Sequence, residues 1–142
     1  MSKGNTFEND WLKLIFNGTP IANIADNAAS GPLTDLYVSL HTLDPGEAGS
    51  QTTNECTYTG YARQPVPRTT GGWTVTANSV SPVAAITFGA ATAGSETAQY
   101  MGIGTVLSGT GKLLYSGSIS PTIAISSGIT PRLTVATANT ED

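Results

Sequence analysis

The chain has 142 residues, with six Lys and Arg against ten Asp and Glu, a net charge of −4 and only 11% charged residues, well under the ~25% of an ordinary soluble domain. Charge-driven disorder is excluded, and so is a phosphate-binding face, because Lys3, Lys13, Arg63, Arg68, Lys112 and Arg132 are scattered rather than clustered. Gly, Ser, Thr and Ala take the places of charges, which predicts a neutral surface that can meet a neighbour with little desolvation cost.

In chain order, the first element is a helix over about Thr6–Phe16. Asn5 with Glu8 three residues on has the form of a capping box, and Gly18 and Pro20 end the helix. Phe7, Trp11 and Ile15 recur every four residues, as do Leu12 and Phe16, giving a wide apolar face. A helix this short is marginal alone in water, so that face packs on its own sheet or docks on a neighbour through Phe7, Trp11 and Ile15. Ile21–Pro32 reads as a small-residue loop with a short helical turn at Ile24–Ala28.

Leu36–Thr42 then alternates strictly, with Leu36, Val38 and Leu40 on one face and Tyr37, Ser39 and His41 on the other. That is the pattern of a half-buried strand. Asp44-Pro45-Gly46 supplies turn chemistry at its end. The polar run Glu47–Glu55 is long for a hairpin loop and reads as an exposed excursion or arm, with Glu47, Gln51 and Glu55 as candidate contacts to a neighbour.

Short strands follow, separated by Gly and Pro: Thr57–Ala62, Gln64–Arg68, Trp73–Thr76, Asn78–Pro82, Val83–Phe88, Gln99–Val106, Lys112–Ile119, Pro121–Ser126 and Arg132–Ala136, before a polar tail. Pro65 and Pro67 make Gln64–Arg68 an edge strand or a crossover. Arg63 and Arg68 read as solvated strand-face charges. Gly102 and Gly104, at alternate positions of a strand, predict a close approach or a bend. About eight short antiparallel strands predict a mainly β fold, a β-sandwich of jelly-roll or Greek-key type with one N-terminal amphipathic helix. The expected organisation is one domain over 1–142, with the helix and loop in 1–32 and the sandwich in 33–142.

Residues with catalytic chemistry are few. His41 is the only histidine, and Ser39 shares its strand face. No Gly-x-Ser-x-Gly surrounds any serine, and sequence proximity is no evidence for a triad. One His and one Cys make no usual zinc site. Asp35, Asp44, Glu47 and Glu55 lack calcium-loop spacing, and Ser108–Lys112 fails the P-loop pattern. The expectation is no enzyme, no catalytic residue, no cofactor and no metal. Cys56 cannot form an intramolecular disulfide and reads as a small buried apolar group. Met1–Asn5 lacks the apolar run of a secretion signal and no stretch reaches a membrane span. The product is therefore expected in the cytosol when made, with no membrane and no nucleic acid among its partners.

Leu36–Gly49 and Tyr58–Arg63, with Gly72–Val75, Ala85–Phe88, Thr130–Leu133 and the opening Lys3–Thr6, resemble a family of small tailed-bacteriophage proteins often labelled tail-fibre-like. Pro65 and Pro67 depart from that pattern. The resemblance implies a virion structural protein. A compact acidic domain without heptads or fibrous repeats makes a poor shaft, so the expected role is a capsid decoration, or cement, protein. It would bind the major capsid protein and self-associate as a homodimer or homotrimer. The alternatives are a tail-fibre or tail-adaptor domain, and a carbohydrate-binding sandwich using Trp73, Tyr61 and Tyr58 as an aromatic platform.

Overall fold

The computed structural model describes residues 5–21 and 32–140. The turn expected at Ile24–Ala28 lies outside them. Along the chain come α1 (Asn5–Asn17), β1 (Asp35–His41), β2 (Gln64–Pro67), β3 (Trp73–Thr76), β4 (Ser79–Pro82), β5 (Ile86–Thr87), β6 (Glu96–Gly104), β7 (Leu113–Ile125), β8 (Arg132–Leu133) and β9 (Asn139–Thr140). The fold is mainly β, with one N-terminal helix and antiparallel strand pairs. The strands form sheets of four, three and two in the orders β2-β1-β6-β7, β3-β4-β9 and β5-β8. The chain divides into two compact units, one of Met1–Asp35, Val66–Ala85 and Thr134–Asp142, the other of Leu36–Pro65 and Ile86–Leu133.

In the first unit, the helix packs on the β3–β4 hairpin. Its two apolar stripes have different fates. Leu12 and Phe16 are fully buried, Phe16 meeting Trp73 edge-on at 4.8 Å, whereas Phe7 and Trp11 stay 39% and 37% exposed. The Asn17 side chain donates to the Trp73 carbonyl, and that of Asn9 to the Ala77 carbonyl at 2.6 Å. Gly18 closes the helix at φ 65° as expected.

The last helical carbonyls, which have no partner inside the helix, are then satisfied in turn. Lys13 accepts from the Thr19 amide at 3.1 Å, Leu14 from Arg68 Nη2 at 2.5 Å and Ile15 from Arg68 Nε. Arg68 is thus a half-buried cap on the negative end of α1 rather than a solvated strand charge. Partial desolvation pulls its pKa down from the ordinary value.

The second unit is built on β1. Leu36, Val38 and Leu40 are buried as the alternation predicts, but so are Ser39 and His41, both 0% exposed. The sheet continues on both sides of β1, and both of its faces are covered in this stretch. β6 runs antiparallel beside it, with Ser39 opposite Gly102 and Tyr37 opposite Gly104. Asp44 accepts from the Gly46 amide at 2.9 Å, the turn the sequence predicts.

Several strand expectations change. Thr57–Ala62 is not a strand, because the Thr57 and Tyr58 amides donate to the Glu96 carboxylate at 2.9 and 2.8 Å and are unavailable to a ladder. Lys112–Ile119 and Pro121–Ser126 form one strand, β7. The break between them survives only as a register skip, since Ala98 pairs with Ile123 and Tyr100 with Ser118, leaving 119–122 outside the ladder. Val83–Phe88 shortens to β5 and Arg132–Ala136 to β8. The polar tail contributes β9, which pairs with β4.

Candidate functional site

Two places carry chemistry: a buried polar network in the second unit and the exposed stripe of α1 in the first. The network begins where β1 ends. His41 Nδ1 lies 2.8 Å from the Thr53 carbonyl and Nε2 lies 2.8 Å from Ser39 Oγ. A carbonyl only accepts, so Nδ1 carries the proton and Nε2 receives the hydroxyl of Ser39. Burial lowers the His41 pKa, which keeps the ring neutral and this tautomer in place. A serine donating to a histidine resembles half of a hydrolytic triad. Both side chains are sealed from solvent, so no substrate reaches them, and the pair serves as a fixed crosslink between β1 and the Thr53 segment.

Of the run Glu47–Glu55, expected as an exposed excursion or arm, the part from Ser50 onward folds back on its own unit. The Cys56 amide donates to Leu40 and the Thr42 amide to Asn54, at 2.9 and 2.8 Å. Gln51 is fully buried. Its Oε1 accepts from the Thr105 and Val106 amides at 2.9 and 3.0 Å, and its Nε2 donates to the Val106 carbonyl. That explains the alternating glycines. A Cβ on Gly104 would lie 2.1 Å from Gln51, and one on Gly102 would lie 2.6 Å from His41 and 2.7 Å from Ser39. The close approach predicted at these glycines comes from polar side chains, joined at Gly102 by Leu113 at 2.8 Å.

Glu55 and Arg63 complete the network. Arg63 Nε and Nη2 each donate to Glu55 at 2.7 Å, and Nη1 donates to the Val106 carbonyl at 3.0 Å. Tyr61 donates to Glu55 at 2.8 Å and accepts from the Leu40 amide, and burial raises its pKa. Arg63 is 3% exposed, against the solvated position expected of it. The pair is a bidentate buried bridge, in which a planar fork matches a carboxylate. A cavity of about 340 Å³ opens beside it, lined by Tyr61, Arg63 and Leu107–Gly109 among others.

Of the residues singled out from sequence as contacts, Phe7, Trp11 and Glu47 are exposed, Ile15 is half-buried, and Gln51 and Glu55 are engaged inside their own unit. Trp73 and Tyr58 are 2% and 4% exposed and Tyr61 is half-buried, so the aromatic platform required for sugar binding is absent from those positions. Cys56 is buried as predicted, its thiol pushed up to about 12 by desolvation. Among the described residues no helix is long and apolar enough to cross a membrane. The network of Ser39, His41, Gln51, Glu55 and Arg63 escaped the sequence reading. Its one visible trace was Gly102-x-Gly104 facing a strand with alternating polar residues.

The family model described as Podophage GP4 fiber I protein gp80 matches residues 2–140. The chain belongs to this family. No curated protein matches it. The resemblance to tailed-phage proteins therefore holds over nearly the whole chain, and the chain is a phage fibre-like virion structural protein. Head-shell decoration, the role expected from compactness and acidity, draws no support from the match. The tail-fibre alternative does.

Proposed function

We propose that this chain is a structural component of a podophage tail fibre. The observation that carries this is the match of residues 2–140 to a family described as a fibre protein. The physical reading is compatible with a load-bearing part. The second unit is cross-tied by buried hydrogen bonds and a bidentate ion pair, and such fully satisfied networks rigidify a core. The first unit keeps Phe7 and Trp11 at the surface, 6.5 Å apart between ring centroids, as an attachment patch for another virion protein. That partner belongs to the tail, in place of the major capsid protein expected from the decoration role.

Copy number separates the two. Quantitative mass spectrometry of purified virions is expected to place this chain on the scale of the portal and tail subunits. A copy number on the scale of the major capsid protein would overturn the tail assignment.

A further inference from the structure

Arg63 is 3% exposed, yet its hydrogen bonding is incomplete. A guanidinium has five N–H donors, and three are engaged: Nε and Nη2 with Glu55, and Nη1 with the Val106 carbonyl. The other two, one on each Nη, find no acceptor among the described residues. Glu55 is one short in the opposite sense. Of about four lone-pair positions on a carboxylate, Oε1 accepts from Tyr61 and Arg63 and Oε2 from Arg63, which leaves one on Oε2 open. Buried polar groups are paired in the great majority of folded proteins, and an exception points to a water or a ligand. Both residues line the cavity of about 340 Å³ beside the ion pair, together with Tyr61, Ala62 and Leu107–Gly109. That space matches a small-molecule site and far exceeds the ~30 Å³ share of one water.

We propose that this cavity binds one neutral monosaccharide unit through a pair of neighbouring hydroxyls. A hydroxyl both accepts and donates, so one accepts from Arg63 while its neighbour donates to Glu55 Oε2. Charge selects against ions. Arg63 and Glu55 are the charged residues of the lining and they cancel, so an anion meets the carboxylate and a cation the guanidinium. Leu107, 52% exposed, and the Tyr61 ring offer an apolar wall to the C–H face of a sugar ring, and Ser108 adds an exposed hydroxyl. The polar groups are fixed before any ligand arrives. Tyr61 accepts from the Leu40 amide and stacks on Phe88 with ring centroids 6.2 Å apart, which keeps the ordering cost of binding low. The surface differs from the aromatic platform expected from sequence, because hydrogen bonds from a buried ion pair, and not ring faces, select the ligand. The proposal goes beyond the tail assignment and rests on the cavity alone.

Two-dimensional NMR of the isotope-labelled full chain tests it, by titration with D-glucose, D-galactose, D-mannose, L-rhamnose and N-acetyl-D-glucosamine, and with D-galacturonate as the anionic control. At least one neutral sugar is expected to give saturating shifts at the Arg63 Nε–H and the Gly109 amide, and galacturonate a weaker response or none. Ala62→Leu and Ser108→Leu, each at an exposed position of the lining, narrow the cavity and leave the ion pair in place. Each is expected to lose the shifts while the circular dichroism spectrum and melting temperature stay unchanged. Should one variant misfold, the other decides; should both, the map of shifted resonances in the wild type decides alone. No saturating shift with any neutral sugar, shifts located away from the cavity, an equal or stronger response to galacturonate, or a response that survives in a folded variant would each overturn the proposal.

Discussion

The two units solve the same problem, burying a face of a β-sheet, with opposite chemistry. In the first, Leu12, Phe16, Trp73 and Val80 dominate the interior, with Glu8 the one charged side chain buried among the described residues of that unit, and other polar groups act at the margins, as with Asn9 and Asn17 on the hairpin and Arg68 on the helix end. In the second, apolar residues share the interior with Ser39, His41, Gln51 and Arg63, all under 9% exposed. Loss of an apolar contact there scales with surface, whereas loss of one polar partner strands another in a medium that cannot solvate it. The second unit is therefore the more brittle under single substitutions.

The largest expected effect follows from the ion pair. Arg63→Met leaves the Glu55 carboxylate without its bidentate partner and is expected to cost about 3–5 kcal/mol in chemical denaturation. Removing both charges, as Arg63→Met with Glu55→Leu, is expected to recover much of that loss, because the uncompensated charge is gone. A double variant as unstable as the single one would mean that the residues matter for shape and the comparison with the apolar unit would lose its basis.

The difference between the units also accounts for what the sequence disclosed. Periodicity reports apolar residues, so the helix, the Leu12–Phe16 face, β1, β3 and β4 were legible, as were the Gly18 stop and the Asp44-Pro45-Gly46 turn. Polar residues report their burial only through partners distant in sequence. Gln51 and Arg63 meet Val106 55 and 43 residues away, and Glu96 takes the Thr57 amide from 39 residues away. Neither spacing nor composition encodes such meetings, so Glu47–Glu55 reads from sequence as an exposed excursion or arm and Thr57–Ala62 as a strand. Gly102 and Gly104 carried the one hint. The short β9 has too few residues for any periodicity.

The next effect is on pH dependence. Burial depresses the folded-state pKa of His41 below its ordinary 6.5, so the unfolded chain binds that proton more readily. Its contribution to stability is complete above the ordinary value and is lost as pH falls through the folded-state value. Denaturation midpoints measured from neutral to mildly acidic pH are expected to fall in the wild type, and to fall less steeply in His41→Gln. Parallel curves would show that the ring is not held neutral by the fold.

The smallest effect belongs to the first unit. Ala77 turns the β3–β4 hairpin at φ 53°, a conformation costly for a residue with a Cβ. Ala77→Gly is expected to stabilise the chain by about 0.5–1 kcal/mol, the relief of strain exceeding the added freedom of the unfolded chain. Thermal denaturation reads it, and a lowered melting temperature would mean that the Asn9 bond to the Ala77 carbonyl depends on the alanine.

The tail assignment meets its most direct test in electron microscopy of intact virions labelled with gold-conjugated antibody against this chain. The account predicts gold confined to the tail and its fibres. Gold distributed over the head shell would contradict it and return the chain to a decoration role.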